Sequence, residues 1–135
     1  MLRLSVVPIS RKKQYNMITK NVGTVAVKGK SGKVYNFTFH TFDSFEDVKD
    51  GFTGHGLYLF GKYTAETSYV KYIYLGMASS FTTRFDSHHK EDCIKRNGAN
   101  CIGIHLMNNS TPESRKAAES DILAANNFTC NDQEN

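Results

Sequence analysis

The strongest constraint on the fold is a strict two-residue alternation between positions 22 and 42. Val25 and Val27 alternate with Thr24, Ala26 and Lys28, and Tyr35, Phe37 and Phe39 alternate with Val34, Asn36, Thr38 and His40. A period of two sends apolar side chains to one side of an extended chain and polar ones to the other, the pattern of a half-buried strand. Between the runs lies Gly29-Lys30-Ser31-Gly32-Lys33, whose two glycines can supply the positive φ of a turn. The segment therefore predicts a β-hairpin that buries one face. The turn shares letters with a phosphate-binding loop, but that motif needs a glycine five positions before Gly29, where Thr24 stands. Nucleotide binding at this turn is rejected on that register.

Further elements follow from local signals. Residues 43–50 predict a helical turn with Phe45 and Val48 inward, followed by a glycine-rich loop over 51–56. Residues 56–60 and 69–76 read as two strands joined by a polar connection. Ser79 or Ser80 is a candidate N-cap for a helix running to about residue 96, where Asn97-Gly98 ends it. Residues 100–107 form another expected strand. Thr111-Pro112-Glu113 opens a second helix, with the threonine as cap, proline in the first turn and glutamate at the positive dipole end. Ala118, Ile122 and Ala125 are its apolar stripe. The order is β-hairpin, β, β, α, β, α: an α+β fold with a small mixed or antiparallel sheet flanked by helices and an N-terminal β-hairpin. The 135 residues suit one domain, 22–135, preceded by a basic arm or strand over 1–21.

Charge is distributed unevenly. Residues 1–42 carry eight Lys and Arg and no Asp or Glu, whereas 43–135 carry nine basic and thirteen acidic residues. The basic excess of the whole chain thus sits in its first third, which suggests an anionic partner, with nucleic acid foremost. Lys12, Lys13, Lys28, Lys30 and Lys33 are the candidate nucleic-acid contacts.

Chemistry-bearing residues recur in a definite order from residue 56 onward. Gly56-Leu57-Tyr58 begins one expected strand and Tyr74-Leu75-Gly76 ends the next. Arg84 lies eight residues after Gly76, His88 four further on, Glu119 on the last expected helix and Asn131 twelve residues beyond it. This set resembles the GIY-YIG nuclease domain over residues 56–131, and the stretches around His88-His89-Lys90 and Asn97-Gly98-Ala99-Asn100 resemble small stand-alone bacterial members. The resemblance implies a metal-dependent endonuclease with Tyr58, Tyr74, Arg84, His88, Glu119 and Asn131 as catalytic residues, Tyr58 as the favoured general base, and Glu119 as the ligand of Mg²⁺ or Mn²⁺. There are departures. Leu57 and Leu75 replace isoleucines, the link between the two tripeptides is longer than usual, Met77 stands where several members have lysine, and the proline usual before the final asparagine is absent.

The residue types suit that chemistry independently. A divalent cation can polarise a phosphodiester and hold water, and Mg²⁺ typically takes one or two carboxylates plus substrate oxygens. Arg84 offers a planar fork matched to phosphate. On the expected single helix, His88 lies one turn beyond Arg84 and shares its face. A phenol of ordinary pKa ~10 needs a nearby cation to act as a base. DNA is the expected substrate, bound with low sequence specificity because no recognition motif is appended. RNA stays open, as do a catalytically silent nucleic-acid-binding module, a ribonuclease or toxin-like effector, and the choice between monomer and homodimer.

The cysteines, Cys93, Cys101 and Cys130, are odd in number with no CxxC pair, which predicts free thiols and neither a zinc site nor a disulfide framework. No run approaches the ~20 apolar residues of a membrane span, and the charge order at the start does not suit a signal peptide. A cytoplasmic location is the resulting expectation.

Overall fold

The computed structural model describes residues 2–3, 20–49, 51–85 and 88–131. Among the described residues, six strands form one sheet: β1 (Leu2–Arg3), β2 (Lys20–Lys28), β3 (Val34–Thr41), β4 (Gly56–Thr64), β5 (Tyr69–Ala78) and β6 (Cys101–Leu106). Their spatial order is β1-β5-β4-β6-β3-β2. Every pairing among them is antiparallel, so the mixed alternative is set aside. The helices are α1 (Phe81–Arg84), α2 (Glu91–Arg96) and α3 (Pro112–Ala125), with a 3-10 turn at Phe45–Val48 that buries Phe45 and Val48. The chain is thus a small α+β fold.

Each sheet face has its own apolar layer. On one, Val25, Val27, Phe37, Phe39, Leu57, Leu59 and Leu75 meet Ala118 and Ile122 of α3. On the other, Tyr58, Phe60, Tyr74, Ile102 and Ile104 meet Phe81 and Phe85 beside α1 and Ile94 of α2. The alternation between Asn36, Thr38 and His40 and the buried Tyr35, Phe37 and Phe39 assigns the latter three to the α3 layer.

Two expectations are corrected. The single helix over about 80–96 is two short helices, α1 and α2. Phe81 and Phe85 stack with ring centroids 6.1 Å apart, both fully buried. Beyond them the His88 ring turns back, and its Nδ1 accepts the backbone N–H of Lys90 at 3.0 Å. A side chain that binds the backbone two residues on competes with helical hydrogen bonding and favours a break. Arg84 and His88 therefore do not share a helical face. The thiols are not all free either: Cys93 and Cys130 form a disulfide with Cα atoms 6.0 Å apart, and Cys101 is a buried free thiol. The bond ties α2 to the segment after α3. It also removes the cysteine argument for a cytoplasmic location, since disulfides persist mainly in oxidising compartments. Among the described residues no helix is long and apolar enough to cross a membrane.

Long-range polar contacts complete the frame. Asp121 of α3 accepts the Ser31 N–H at 2.8 Å, the Ser31 hydroxyl at 2.7 Å and the Tyr35 hydroxyl at 2.9 Å. These bonds hold the Asp121 carboxyl below the usual carboxylate range, and burial, with Asp121 adding to it, pushes the Tyr35 phenol up to about 12. The turn between β2 and β3 is thereby docked on α3, and a Cβ at Gly29 would run into the Asp121 carboxylate.

Candidate active site

The two tripeptides lie side by side on neighbouring strands. Tyr58 pairs across β4 and β5 with Gly76, and Phe60 pairs with Tyr74, so the tyrosines are diagonal neighbours on one face. Their glycines have steric reasons. Gly56 has φ +150, and a Cβ there would strike the His105 carbonyl on β6. A Cβ at Gly76 would overlap the Tyr58 ring, which lies directly across it. Small residues at these two positions let three strands and one aromatic ring approach closely.

Tyr58 is 1 % exposed and Tyr74 7 %. Phe85 packs edge-on against Tyr58 at 5.0 Å. The Tyr58 hydroxyl meets His88 Nε2 at 2.5 Å. Because Nδ1 of His88 accepts the Lys90 N–H, the neutral ring carries its proton on Nε2 and donates it to the Tyr58 oxygen. Burial lowers the His88 pKa to about 4, helped by the positive charges of His89 and Arg84. His89 stacks on His88 at 5.0 Å, and the edge of Tyr74 faces both rings.

Both phenols are raised above their ordinary range. For Tyr58 the cause is burial, then its neighbour Tyr74; Arg84 opposes the shift and Glu119 adds to it. For Tyr74 burial leads and the Glu119 charge follows, with the hydrogen bond to Tyr58 and the Arg84 charge opposing. The charges of Arg84 and Glu119 thus act on both hydroxyls. Arg84, at the end of α1, is exposed. Glu119 is 9 % exposed, and its Oε1 lies 3.3 Å from the Lys116 ammonium one helical turn earlier. Lys116 was not singled out in the sequence; the (i, i+3) spacing to Glu119 on a capped helix was the available signal.

Asn131 sits elsewhere in role. Its side-chain oxygen accepts the Leu75 N–H at 2.8 Å and its amide donates to the Leu75 carbonyl at 2.9 Å. Together with the bond from Cys130 N to the Ile73 carbonyl, it laces the outer edge of β5 on both sides of Tyr74. Lys28, Lys30 and Lys33 are exposed on β2 and the turn that follows it, at the other end of the strand order from β5. Lys33 lies over the Tyr35 ring at 5.4 Å. Lys12 and Lys13 lie outside the described residues. The structure therefore gathers Tyr58, Tyr74 and His88, brings Arg84 and Glu119 within electrostatic range, and leaves the hairpin lysines on and beyond β2, three strands from β4 in the hydrogen-bonded order.

Among the described residues no group of three or more His, Cys, Asp and Glu surrounds a common point. Glu119 is a single carboxylate whose Oε1 is already paired with the Lys116 ammonium, so a metal ion there would compete with that cation. Comparison with protein-family models, with curated proteins and with solved structures finds no match to this chain, so its functional reading stands on these residues and their geometry.

Proposed function

We propose that this chain is a metal-dependent endonuclease of the GIY-YIG type, hydrolysing phosphodiester bonds in DNA with low intrinsic sequence specificity. The observation that carries the reading is one cluster. Two phenols from neighbouring strands and a neutral histidine are hydrogen-bonded beneath an exposed arginine, with a mostly buried carboxylate acting on both phenols.

Each residue has a role. Arg84 grips the phosphate through two parallel N–H bonds and offsets charge developing on it. Tyr58 is the general base. The His88 Nε2–H aimed at its oxygen favours the phenolate, as does Arg84, whereas burial resists it. In the free protein both phenols therefore stay protonated at neutral pH, and the base becomes competent only with a further positive charge in place. Glu119 would hold a Mg²⁺ or Mn²⁺ ion, which supplies phosphate polarisation and an activated water. Lys116 balances the Glu119 charge until then. Asn131 is a positioning residue that holds β5, and with it Tyr74, against the rest of the site.

The deciding experiment is cleavage of labelled duplex DNA, single-stranded DNA and RNA, each with and without Mg²⁺. Glu119→Gln keeps the shape and removes the charge. Mg²⁺-dependent cleavage of DNA should fall to background in that variant while its circular dichroism is unchanged. Cleavage by Glu119→Gln at the wild-type rate would refute the assignment.

A further inference from the structure

The helices cover only part of the sheet face that carries Tyr58. Moving outward from Tyr58, its partner on β6 is Ile104, and the partner of Ile104 on β3 is Thr38. Burial fades along this direction. Ile104 is 9 % exposed, Thr38 and His40 are half-buried, and Asn36 is exposed. Leu106 and Val34 are large apolar side chains left 53 % and 50 % exposed. The result is a groove of about 530 Å³ with Thr38, His40, Ile104 and Leu106 as its floor and Phe52 on its wall. That volume falls within the ~300–1,000 Å³ of ordinary ligand sites.

The lining has a definite chemistry. His40 and Phe52 are in tilted contact, with ring centroids 5.3 Å apart. Phe52 is held there because its carbonyl accepts the Thr82 hydroxyl of α1 at 3.4 Å. Asn36 and Thr38 add neutral donors and acceptors, and among the described residues the lining carries no acid. At the outer end, Lys28 pairs with Val34. Since Val25 and Val27 face α3, strand alternation turns Lys28 to the same side as the groove. An apolar and aromatic lining, neutral hydrogen-bonding groups and a cation at one end, all on the side of the sheet that carries Tyr58, match a nucleic-acid strand with its bases turned toward the protein.

We propose that this open half of the sheet face, β6-β3-β2 with the Phe52 loop, is a binding platform for an unpaired DNA strand leading into the Tyr58 site. The choice of occupant rests on the nuclease reading above. A duplex keeps its base faces stacked inside and offers phosphates outward, so an apolar floor gains nothing from it. Unpaired bases stack on aromatic and apolar surfaces regardless of sequence. Leu106 and His40 on the floor and Phe52 on the wall are the stacking groups, and Asn36 and Thr38 supply hydrogen bonds beside them.

Fluorescence anisotropy of the full chain tests this, using a labelled oligothymidylate and a duplex of equal length, both in EDTA so that binding is read without cleavage. The single strand should bind about tenfold more tightly than the duplex. Leu106→Glu, at a half-exposed site, should weaken single-strand binding about tenfold with its circular dichroism unchanged. Phe52→Ala should weaken it about fivefold, the scale of losing one stacking contact. Leu106→Ala, which adds no charge, should fall between wild type and Leu106→Glu. Wild-type affinity in both Leu106→Glu and Phe52→Ala, or tighter binding of duplex by the native chain, would overturn the platform, and Mg²⁺-dependent cleavage of duplex by the same proteins would then leave the nuclease reading standing. Loss of single-strand binding in the variants of a chain that never cuts DNA would support the platform and remove the nuclease reading.

Discussion

Two cross-strand pairs in this sheet share one geometry and differ in consequence. On β4 and β5, Tyr58 lies across Gly76; on β3 and β6, Phe39 lies across Gly103. In both, a Cβ on the glycine would overlap the ring. The Phe39 ring simply fills the layer under α3, whereas the Tyr58 ring ends in a hydroxyl bound by His88. A glycine under an aromatic ring is thus a packing device first. It becomes part of a candidate site only where the ring carries a polar tip and another element brings a partner to it. The same contrast runs through the two halves of the sheet. The β4–β5 half is closed by α1, α2 and the laced edge at Asn131. The β2–β3 half is docked to α3 on one face and, among the described residues, open on the other.

The largest expected effect lies in the closed half. Arg84→Lys keeps the charge and loses the planar fork. Cleavage at saturating substrate should fall by ~10²-fold or more, the scale of removing one preorganised donor. Retained turnover with a raised KM would make Arg84 a binding contact only and erase the distinction between the halves.

The glycine comparison can be broken directly. Gly76→Ala and Gly103→Ala each force a methyl into a buried ring, and each should cost about 1–3 kcal/mol in denaturant unfolding, the usual range for overpacking. Only Gly76→Ala should also shift the His88 ¹⁵N resonances, because only Tyr58 is bonded to that ring. Equal perturbation of His88 by both variants would show that the layers are not independent.

Histidine 88 provides a pH test. Its folded pKa, about 4, is below the ordinary imidazole value of 6.5, so between the two the unfolded chain binds a proton that the folded chain does not. Stability should be fully present above about pH 6.5 and lost as pH falls toward about 4. His88→Gln should flatten that part of the stability curve. An unchanged slope in the variant would place the proton uptake on another group.

The smallest effects belong to the hairpin lysines. Replacing Lys28, Lys30 and Lys33 together should weaken binding similarly for unrelated DNA sequences and flatten the dependence of log K on log salt, by ~0.9 per lost phosphate contact on duplex and ~0.7 on a single strand. Among single variants, Lys28→Ala should account for more of the loss than Lys33→Ala. Lys28 is on the open face, whereas Lys33 lies against Tyr35 on the docked side. A salt slope equal to that of the native chain in the triple variant would reduce these lysines to solvated edge charges.

What the sequence determined by itself was whatever depends on near neighbours. Alternation at i and i+2 marked the strands, and Thr111 with Pro112 marked the start of α3, where Thr111 caps the Ser114 N–H. The α+β class followed, because hydrophobic period and capping are properties of short windows. The order of Gly56-Leu57-Tyr58, Tyr74-Leu75-Gly76, Arg84 and Glu119 was likewise legible, though not which of their atoms would meet. The tertiary structure alone decided the rest. Cys93 and Cys130 are 37 residues apart, and no spacing rule joins them; they meet because the segment after α3 returns along β5 toward α2. The run from 80 to 96 looked like one helix in isolation, but the buried Phe85 and the bond from His88 to Tyr58 outweigh a few weak helical preferences. The open half of the sheet face was equally hidden, since alternation says that a strand has two faces and only the placement of the helices says which of them is covered.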